Sequence, residues 1–237
     1  MTDQALRVRP SAVPAGLGEG ESQTARLFIR LRGDILAGRL EPGSKLKIEN
    51  LRRTYGAGAS PLREALSTMC ADGLVERIDQ RGFRVAGISV GAFDECLKTR
   101  CWLEERALRE SIAHGGTDWE ERVVLTHYRL AKTPHAAGDD DPTRSWEQAH
   151  QQFHRSMLAG CGSKTLLRFC DQLYDLNIRY RNIAGEVAYP KRDIAGEHRQ
   201  IFEAVVSRDA DRAVQALVRH YRLTGEYIHT ALADLQP

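Results

Sequence analysis

The sequence predicts a mostly α-helical chain in two parts, a small N-terminal part with a short β-hairpin and a larger part made only of helices. Two observations carry this prediction. Between Pro42 and Val85, two short helical stretches separated by glycines precede two β-like runs. From Ser89 onward, apolar residues recur at helical spacing, without the strict alternation of a half-buried strand. The 237 residues suffice for two domains with separate cores.

Composition narrows the class of protein. Apolar residues make up 42% of the chain and charged residues 28%, which is typical of a globular protein. The chain contains no run of about 18 apolar residues that would predict a membrane span. The N-terminus has no apolar core of the kind that an export signal needs. The five cysteines are scattered without a C-x-x-C spacing, which favours reduced thiols. We therefore expect a cytoplasmic protein.

The first 87 residues divide into an arm and a domain. Pro10, Pro14 and three glycines interrupt residues 1–20, which predicts a flexible arm. The domain over residues 21–87 begins with a helix at residues 22–38. Its inward face consists of Ala25, Phe28, Ile29, Ile35 and Leu36. Residues 87–91 have glycines at both ends and predict a linker to a second domain over residues 90–235.

A pair of short helices follows in the first domain. Residues 48–55 predict a helix because apolar side chains lie one turn apart, and Gly56 ends it at little conformational cost. Ser60 is expected to cap the next helix, with Pro61 in its first turn. Gly73 ends this second helix. The inward face of the second helix consists of Leu62, Leu66 and Met69.

Two β-like runs complete the domain. Residues 74–78 and 83–85 are joined by Asp79-Gln80-Arg81-Gly82, which predicts a hairpin turn. Helix, glycine turn, helix and hairpin in this order make a winged helix-turn-helix. In such a domain the second helix of the pair enters the major groove of DNA.

Candidate DNA-binding groups lie on these elements. Ser60 and Arg63 are near the N-terminus of the second helix, where an arginine can form two hydrogen bonds with a guanine edge. Arg52, Arg53 and Arg81 are suited to phosphate contacts. Gly82, beside Arg81 in the wing, is a further candidate DNA-binding residue. Any one of these could be an ordinary surface residue, but the order of the elements places them on one face. Residues 1–88 contain 14 Lys and Arg against 10 Asp and Glu, whereas the remainder contains 20 against 22. The positive charge is therefore in the domain predicted to face DNA.

Three motifs in this domain are specific. Ile35 to Gly43 reads I-L-A-G-R-L-E-P-G, Pro61 to Leu66 reads P-L-R-E-A-L, and Asp72 to Val75 reads D-G-L-V. With these motifs, residues 24–86 resemble the DNA-binding domain of the GntR family of bacterial transcription regulators. The resemblance implies double-stranded operator DNA as a partner. One departure is G-A-G-A at residues 56–59, where the family has G-V-S-R. Ala59 replaces an arginine that often contacts the operator, which suggests an altered site preference.

The C-terminal part predicts six helices. They lie at residues 90–114, 118–135, 142–160, 163–184, 191–207 and 209–233. The breaks between them contain glycine pairs or proline. Because the connections are short, neighbouring helices are expected to run antiparallel. We therefore expect an all-α antiparallel six-helix bundle, an architecture that builds ligand and metal sites in its core.

Four histidines stand on the predicted inward faces of this bundle. His150 and His154 lie one turn apart on one helix, and His198 and His220 lie on two others. A single buried histidine is usually a hydrogen-bonded core residue. Four cationic imidazoles would repel one another, whereas one divalent metal satisfies four neutral ones at once. The spacing alone leaves both explanations open.

The residues around these histidines form a second pattern. Phe153-His154 is followed after 44 residues by His198, in E-H-R-Q-I, and after a further 22 by His220. With this pattern, residues 90–232 resemble the all-helical effector domain, named FCD, of the FadR-like branch of the GntR family. The resemblance implies a divalent metal held by one Asp and three His. His150 stands in the place of that Asp. A nitrogen ligand there favours Zn²⁺ or Ni²⁺ over Mn²⁺ or Mg²⁺, and without it three His and open positions remain.

Arg100 is the candidate effector-binding residue. It shares an apolar helix face with Phe93 and Cys96, where an arginine is costly unless an anionic group meets it. Glu104, one turn later, is one such group. The family resemblance places an arginine of this R-x-x-x-E pattern near the effector pocket. We therefore hypothesise that a small carboxylic acid bridges the metal and Arg100. Further candidates are Arg179 and Arg181.

Three functions compete for this sequence. The leading hypothesis is a transcription regulator, expected to be a repressor, that binds a palindromic operator as a homodimer and is controlled by an organic-acid effector. In the second, the regulator responds to the metal ion itself. The third is a metallo-hydrolase with Glu147 or Glu197 as the base. A complete DNA-binding domain and the lack of a nucleophile motif argue against it, so we expect no enzymatic activity.

Overall fold

A computed structural model describes residues 22–134, 141–184 and 192–235, with the backbone alone at residues 141–144 and 234–235. The predicted arm and part of the predicted breaks near residues 138 and 190 lie outside the described residues. The chain forms two compact units. One comprises the described residues up to Ser89 together with Asp175–Ile183, and the other comprises Val90–Tyr174 with the described residues from Ala184 onward. Nine residues of the second predicted domain, residues 90–235, thus belong to the first unit.

The first unit contains three helices and a three-stranded antiparallel sheet. In chain order the elements are α1 (Gln23–Leu36), β1 (Lys45–Leu46), α2 (Ile48–Tyr55), α3 (Ala59–Ala71), β2 (Val75–Ile78) and β3 (Gly82–Val85). The strand order is β1-β3-β2, with Leu46 opposite Phe83 on one side and Arg77 opposite Phe83 on the other. This arrangement is the predicted winged helix-turn-helix, with β1 as an additional strand.

α2 and α3 end at the glycines that the sequence predicts, but α3 begins earlier than predicted. Gly56 ends α2 at φ +63°, and Gly73 follows α3 at φ +73°, in the left-handed region where glycine carries no steric penalty. The prediction that Ser60 caps α3 is wrong. The extended Gly58 occupies the cap position, no side chain caps the helix, and Ser60 lies within its first turn.

A buried polar group stabilises the apolar core of the first unit. Asp34 of α1 is fully buried and accepts hydrogen bonds from the Tyr55 hydroxyl at 2.5 Å and from Arg39 Nε at 2.8 Å. Burial raises the pKa of Tyr55, and the bond to Asp34 raises it further, so the phenol keeps its proton. These bonds fix the end of α2 against α1, and thereby the base on which α3 packs.

The six predicted helices form the second unit, apart from Asp175–Ile183 of the fourth of them, which belong to the first unit. The helices are α4 (Val90–His114), α5 (Thr117–Lys132), α6 (Asp141–Leu158), α7 (Lys164–Ala184), α8 (Ile194–Val206) and α9 (Ala210–Leu235), with a single 3₁₀ turn at Ala159–Cys161. Every end lies within three residues of its prediction. The core is apolar, and its fully buried members include Leu108, Phe153, Met157 and Ile201. Among the described residues no helix combines the length and hydropathy required to cross a bilayer.

Candidate functional site

A basic cleft lies on the first unit beside α3 and the β2–β3 hairpin. Its volume is ≈ 480 Å³. Within the described part of the chain its lining contains no acidic residue. The cationic side chains that line it are Lys45, Lys47, Arg63, Arg77 and Arg81. All five are exposed. A concave surface with one sign of charge attracts the phosphates of nucleic acid.

The position of each group in the cleft follows from local structure. Leu62 and Leu66 are fully buried, so Arg63, between them on α3, points outward. The turn that presents Arg81 has positive φ at two positions, +56° at Gln80 and +91° at Gly82. Gly82 itself also lines the cleft. The structure therefore brings Arg63, Arg81 and Gly82 to one surface, as the sequence predicts.

Three other predicted DNA-binding residues are exposed but do not line this cleft. Arg52 is 3.2 Å from the Glu49 carboxylate, and Arg53 donates a hydrogen bond to the Asn50 side chain at 2.7 Å. Ser60 lies at the N-terminal end of α3. Their contacts with DNA stay a prediction.

The cleft also contains three basic residues that the sequence interpretation missed. Lys45 and Lys47 flank the buried Leu46, so both point away from the core. Arg77 lies on β2, where it pairs with Phe83 of β3. The alternation of polar and apolar residues in K-L-K covers only three positions, which is too short to indicate a strand, so no sequence signal pointed to the lysines.

A histidine cluster occupies the interior of the second unit. The side chains of His150 and His154 from α6, His198 from α8 and His220 from α9 are all buried. One ring nitrogen from each lies within 4.8 Å of the others. His154 Nε2 lies 3.3 Å from His198 Nε2. The prediction that the four residues share one site is thus matched by their positions.

The outer nitrogen of His220 contacts a partly buried ion pair. His220 Nδ1 lies 2.7 Å from Glu197 Oε2. Arg192 donates to both oxygens of that carboxylate, to the backbone carbonyl of His220 at 2.8 Å and to the Thr224 hydroxyl at 2.8 Å. These bonds hold the start of α8 against α9 beside the histidines.

Two tyrosines contact the outer nitrogens of the α6 histidines. His154 Nδ1 lies 2.9 Å from the Tyr221 hydroxyl, which donates a hydrogen bond to Glu104. His150 Nδ1 lies 3.1 Å from the hydroxyl of Tyr174, and that hydroxyl donates a hydrogen bond to Glu147.

The environment favours neutral imidazoles. Burial lowers the pKa of His154 and His198, and the charges of neighbouring histidines lower it further. Burial lowers the pKa of His220 as well, although its bond with Glu197 opposes the change. Burial acts to raise the pKa of Glu197, but hydrogen bonds from His220 and Arg192 outweigh it and hold that pKa at about 2. A neutral imidazole is the form that binds a metal.

The donor set suits a divalent ion of the zinc type. Four imidazole nitrogen donors that converge in a buried space match the preference of Zn²⁺, and of Ni²⁺ and Cu²⁺, rather than that of Mg²⁺ or Mn²⁺. The outer nitrogens of His220, His154 and His150 have the carboxylate and hydroxyl partners that commonly orient metal-binding histidines. The residues present therefore fit the metal that the sequence implies.

Comparison with known families assigns both units. The family model described as bacterial regulatory proteins, gntR family, matches residues 23–85, and the model of the FCD domain matches residues 95–223. The chain belongs to the GntR family. Regulators of this family bind DNA and take effector ligands through the FCD domain, so this GntR protein is a DNA-binding transcription regulator.

Individual relatives agree with this assignment. The chain is 36% identical over 211 residues to BphR, an HTH-type transcriptional regulator of Paraburkholderia xenovorans strain LB400, covering 88% of this chain and 86% of that one. It is 33% identical over 210 residues to the HTH-type transcriptional repressor GlaR of Escherichia coli strain K12, covering 86% and 94%. The solved structure of E. coli McbR/YncC covers 91% of this GntR chain with a TM-score of 0.73, at 17% identity, and shows the same fold.

The predicted effector residue has a partner of its own. Arg100 is buried, its Nε lies 2.7 Å from Glu104, and its guanidinium stands 4.0 Å from the Tyr221 ring centroid. Arg179, a further candidate, donates to the backbone carbonyl of Ala86 within the first unit. The two acids considered as hydrolytic bases, Glu147 and Glu197, are both engaged in hydrogen bonds with side chains of this GntR protein.

Proposed function

We propose that this GntR-family regulator is a repressor that binds a palindromic operator as a homodimer in the cytoplasm. A small carboxylic acid, bound beside a divalent metal in the FCD domain, controls the affinity for that operator. One observation carries the proposal: a basic cleft and a buried cluster of four histidines occur in separate units of one chain. The similarity to GlaR, a transcriptional repressor that aligns with 86% of this chain, supports repression rather than activation.

The DNA-binding step uses the first unit. In our proposal α3 enters the major groove, and Arg63 donates two hydrogen bonds to a guanine edge. Lys45, Lys47 and Arg81 meet phosphates on either side and set the orientation without reading sequence. Two such units related by a twofold axis read two half-sites, which makes the operator palindromic.

The sensing step uses the second unit. His154, His198, His220 and His150 would hold the ion, which would supply a Lewis-acid anchor for a carboxylate oxygen. Neutral imidazoles leave the bound ion with its positive charge, so an anionic ligand is favoured over a neutral one. An effector that binds one conformation of the regulator better than the other shifts the equilibrium between them.

The experiment that tests this function is selection of genomic fragments by the full-length protein, followed by fluorescence anisotropy on the selected duplex. We expect preferential binding of a palindrome and a steep loss of affinity with salt, with a slope of about −0.9 per phosphate contacted. Absence of preference for any genomic duplex over random DNA would contradict the proposal.

Arg100 is the residue whose effector contact is easiest to test. We expect Arg100→Lys to weaken binding of small carboxylic acids by about 10-fold or more, because a lysine lacks the planar pair of donors that matches a carboxylate. Isothermal titration of metal-loaded protein with mono- and dicarboxylic acids measures the change. Wild-type protein and variant are compared at equal metal content, because Arg100 also pairs with Glu104. Unchanged affinities would remove Arg100 from the effector site.

A second function is favoured by the donor set itself. Four protein imidazoles can occupy all four coordination positions of a tetrahedral metal ion without any added ligand. The metal ion would then be the signal, and the regulator would report its availability. Removal of the metal with a chelator distinguishes the two functions, when binding to the selected duplex is measured before and after it. Operator binding that depends on Zn²⁺ or Ni²⁺ in the absence of organic acids supports the metal-responsive regulator, and operator binding that persists after chelation opposes it.

A further inference from the structure

The tyrosines beside the histidine cluster constrain where protons lie. A carboxylate accepts hydrogen bonds and donates none. Tyr221 therefore gives its hydroxyl proton to Glu104. Its oxygen is then left to accept the hydrogen bond from His154, 2.9 Å away. His154 must carry its proton on Nδ1, and the lone pair of Nε2 faces His198 and the rest of the cluster.

The same reasoning applies to the other histidine of α6. Tyr174 donates its hydroxyl proton to Glu147, so its oxygen accepts from His150 Nδ1 at 3.1 Å. At His220 the acceptor is the carboxylate of Glu197, with no tyrosine between them. Three of the four imidazoles are thus held in the Nδ1–H tautomer, which leaves Nε2 of each available to a metal.

The arrangement around Tyr221 fixes its position as well as its proton. One carboxylate oxygen of Glu104 accepts a hydrogen bond from the Tyr221 hydroxyl. The other oxygen accepts one from Arg100 Nε at 2.7 Å. The Arg100 guanidinium lies 4.0 Å from the Tyr221 ring centroid and 5.1 Å from that of Tyr174. Glu104, Arg100 and Tyr221 are all buried. A ring held by a buried ion pair and by face contacts has little freedom to turn away from His154.

We propose that Tyr221 and Tyr174 are positioning residues of the ion site, which set its affinity by orienting His154 and His150 through relayed hydrogen bonds to Glu104 and Glu147. The inference rests on the ion site of the proposed function. Partners of this kind preorganise a metal-binding imidazole and raise its basicity, and their loss costs about 10- to 100-fold in metal affinity.

The test uses Tyr→Phe variants of the full-length protein, which keep the ring and remove only the hydroxyl. Zn²⁺ affinity is measured by competition with a chromophoric chelator, and the ligand field by the absorption spectrum of the Co²⁺ form. We expect Tyr221→Phe to weaken Zn²⁺ about 10- to 100-fold and to change the Co²⁺ spectrum. The matched control is Tyr128→Phe, because Tyr128 lies on α5 and is 60% exposed.

A double-mutant cycle separates positioning from general loss of stability. If Tyr221 acts through His154, Tyr221→Phe has no further effect on Zn²⁺ affinity in a His154→Ala background. An equal loss in both backgrounds would indicate a structural role and overturn the proposal. Tyr174→Phe independently tests the second hydrogen-bond relay, which runs from His150 through Tyr174 to Glu147. If one variant misfolds, the other still tests the proposal.

The outcomes distinguish this inference from the proposed function. Zn²⁺ binding by the wild-type protein with unchanged affinity in both Tyr→Phe variants would overturn the inference alone. Failure of the wild-type protein to bind Zn²⁺, Ni²⁺ or Co²⁺ would overturn the ion site and this inference together.

Discussion

Arg63→Ala is expected to reduce affinity for the operator by about 30-fold or more and to leave affinity for unrelated DNA nearly unchanged. A bidentate contact between arginine and guanine contributes about 1–3 kcal/mol of discrimination. A dimer would lose two such contacts, or about 2–6 kcal/mol, and each 1.4 kcal/mol is about a tenfold change. Fluorescence anisotropy on the selected palindrome and on a shuffled duplex at one salt concentration measures both losses.

Two controls locate the effect of Arg63. Arg81→Ala removes a cation in the wing of the same cleft and is expected to weaken both duplexes alike, with a reduction of the salt slope by about 1. Arg129→Ala removes an exposed arginine of α5 in the other unit and is expected to change neither affinity. An equal loss on both duplexes for Arg63→Ala would identify that residue as a phosphate contact and leave base recognition to other groups.

The fold was predictable because its signals are local. Helical spacing of apolar residues and glycines at left-handed positions, such as Gly56 and Gly73, determine where each helix lies and ends. The cap of α3 was not predictable from preference alone. Ser60 is a favoured capping residue, but the extended Gly58 already satisfies the geometry of the cap position, so the helix begins before Ser60.

Contacts between distant residues set the limit of the sequence interpretation. β1 has only two residues and exists through its pairing with β3, so Lys45 within it and Lys47 after it had no independent strand signal. The histidines were found because each lies on an apolar helix face. Their outer partners were not found: Tyr221 meets Glu104 across 117 residues, and neither has a spacing that indicates the other. Arg100 illustrates the same limit, since helical spacing allowed both Glu104 and an added anion as its partner.

His154→Ala is expected to produce the largest loss of metal affinity of the four histidine variants, about 100- to 1,000-fold. Structural zinc sites with four ligands bind with about 10–16 kcal/mol, so an equal share per ligand is about 2.5–4 kcal/mol. His154 is the best supported ligand, because its Nε2 lies 3.3 Å from His198 Nε2 and its Nδ1 has the Tyr221 partner. Competition with a chromophoric chelator measures the loss. The control is His114→Ala, since His114 is exposed at the end of α4.

His150→Ala then decides how many histidines hold the ion. If all four coordinate, its loss is smaller than that of His154→Ala but still about 100-fold, and His150→Asp moves the preference toward Mn²⁺, because a carboxylate oxygen replaces a nitrogen. If three histidines suffice, His150→Ala leaves the Zn²⁺ affinity within a fewfold of the wild-type value. In that case the ion keeps an open position for a carboxylate, which favours an organic-acid effector. A closed site of four nitrogens favours the ion as the signal instead, so the number of ligands discriminates between the two proposed modes of regulation.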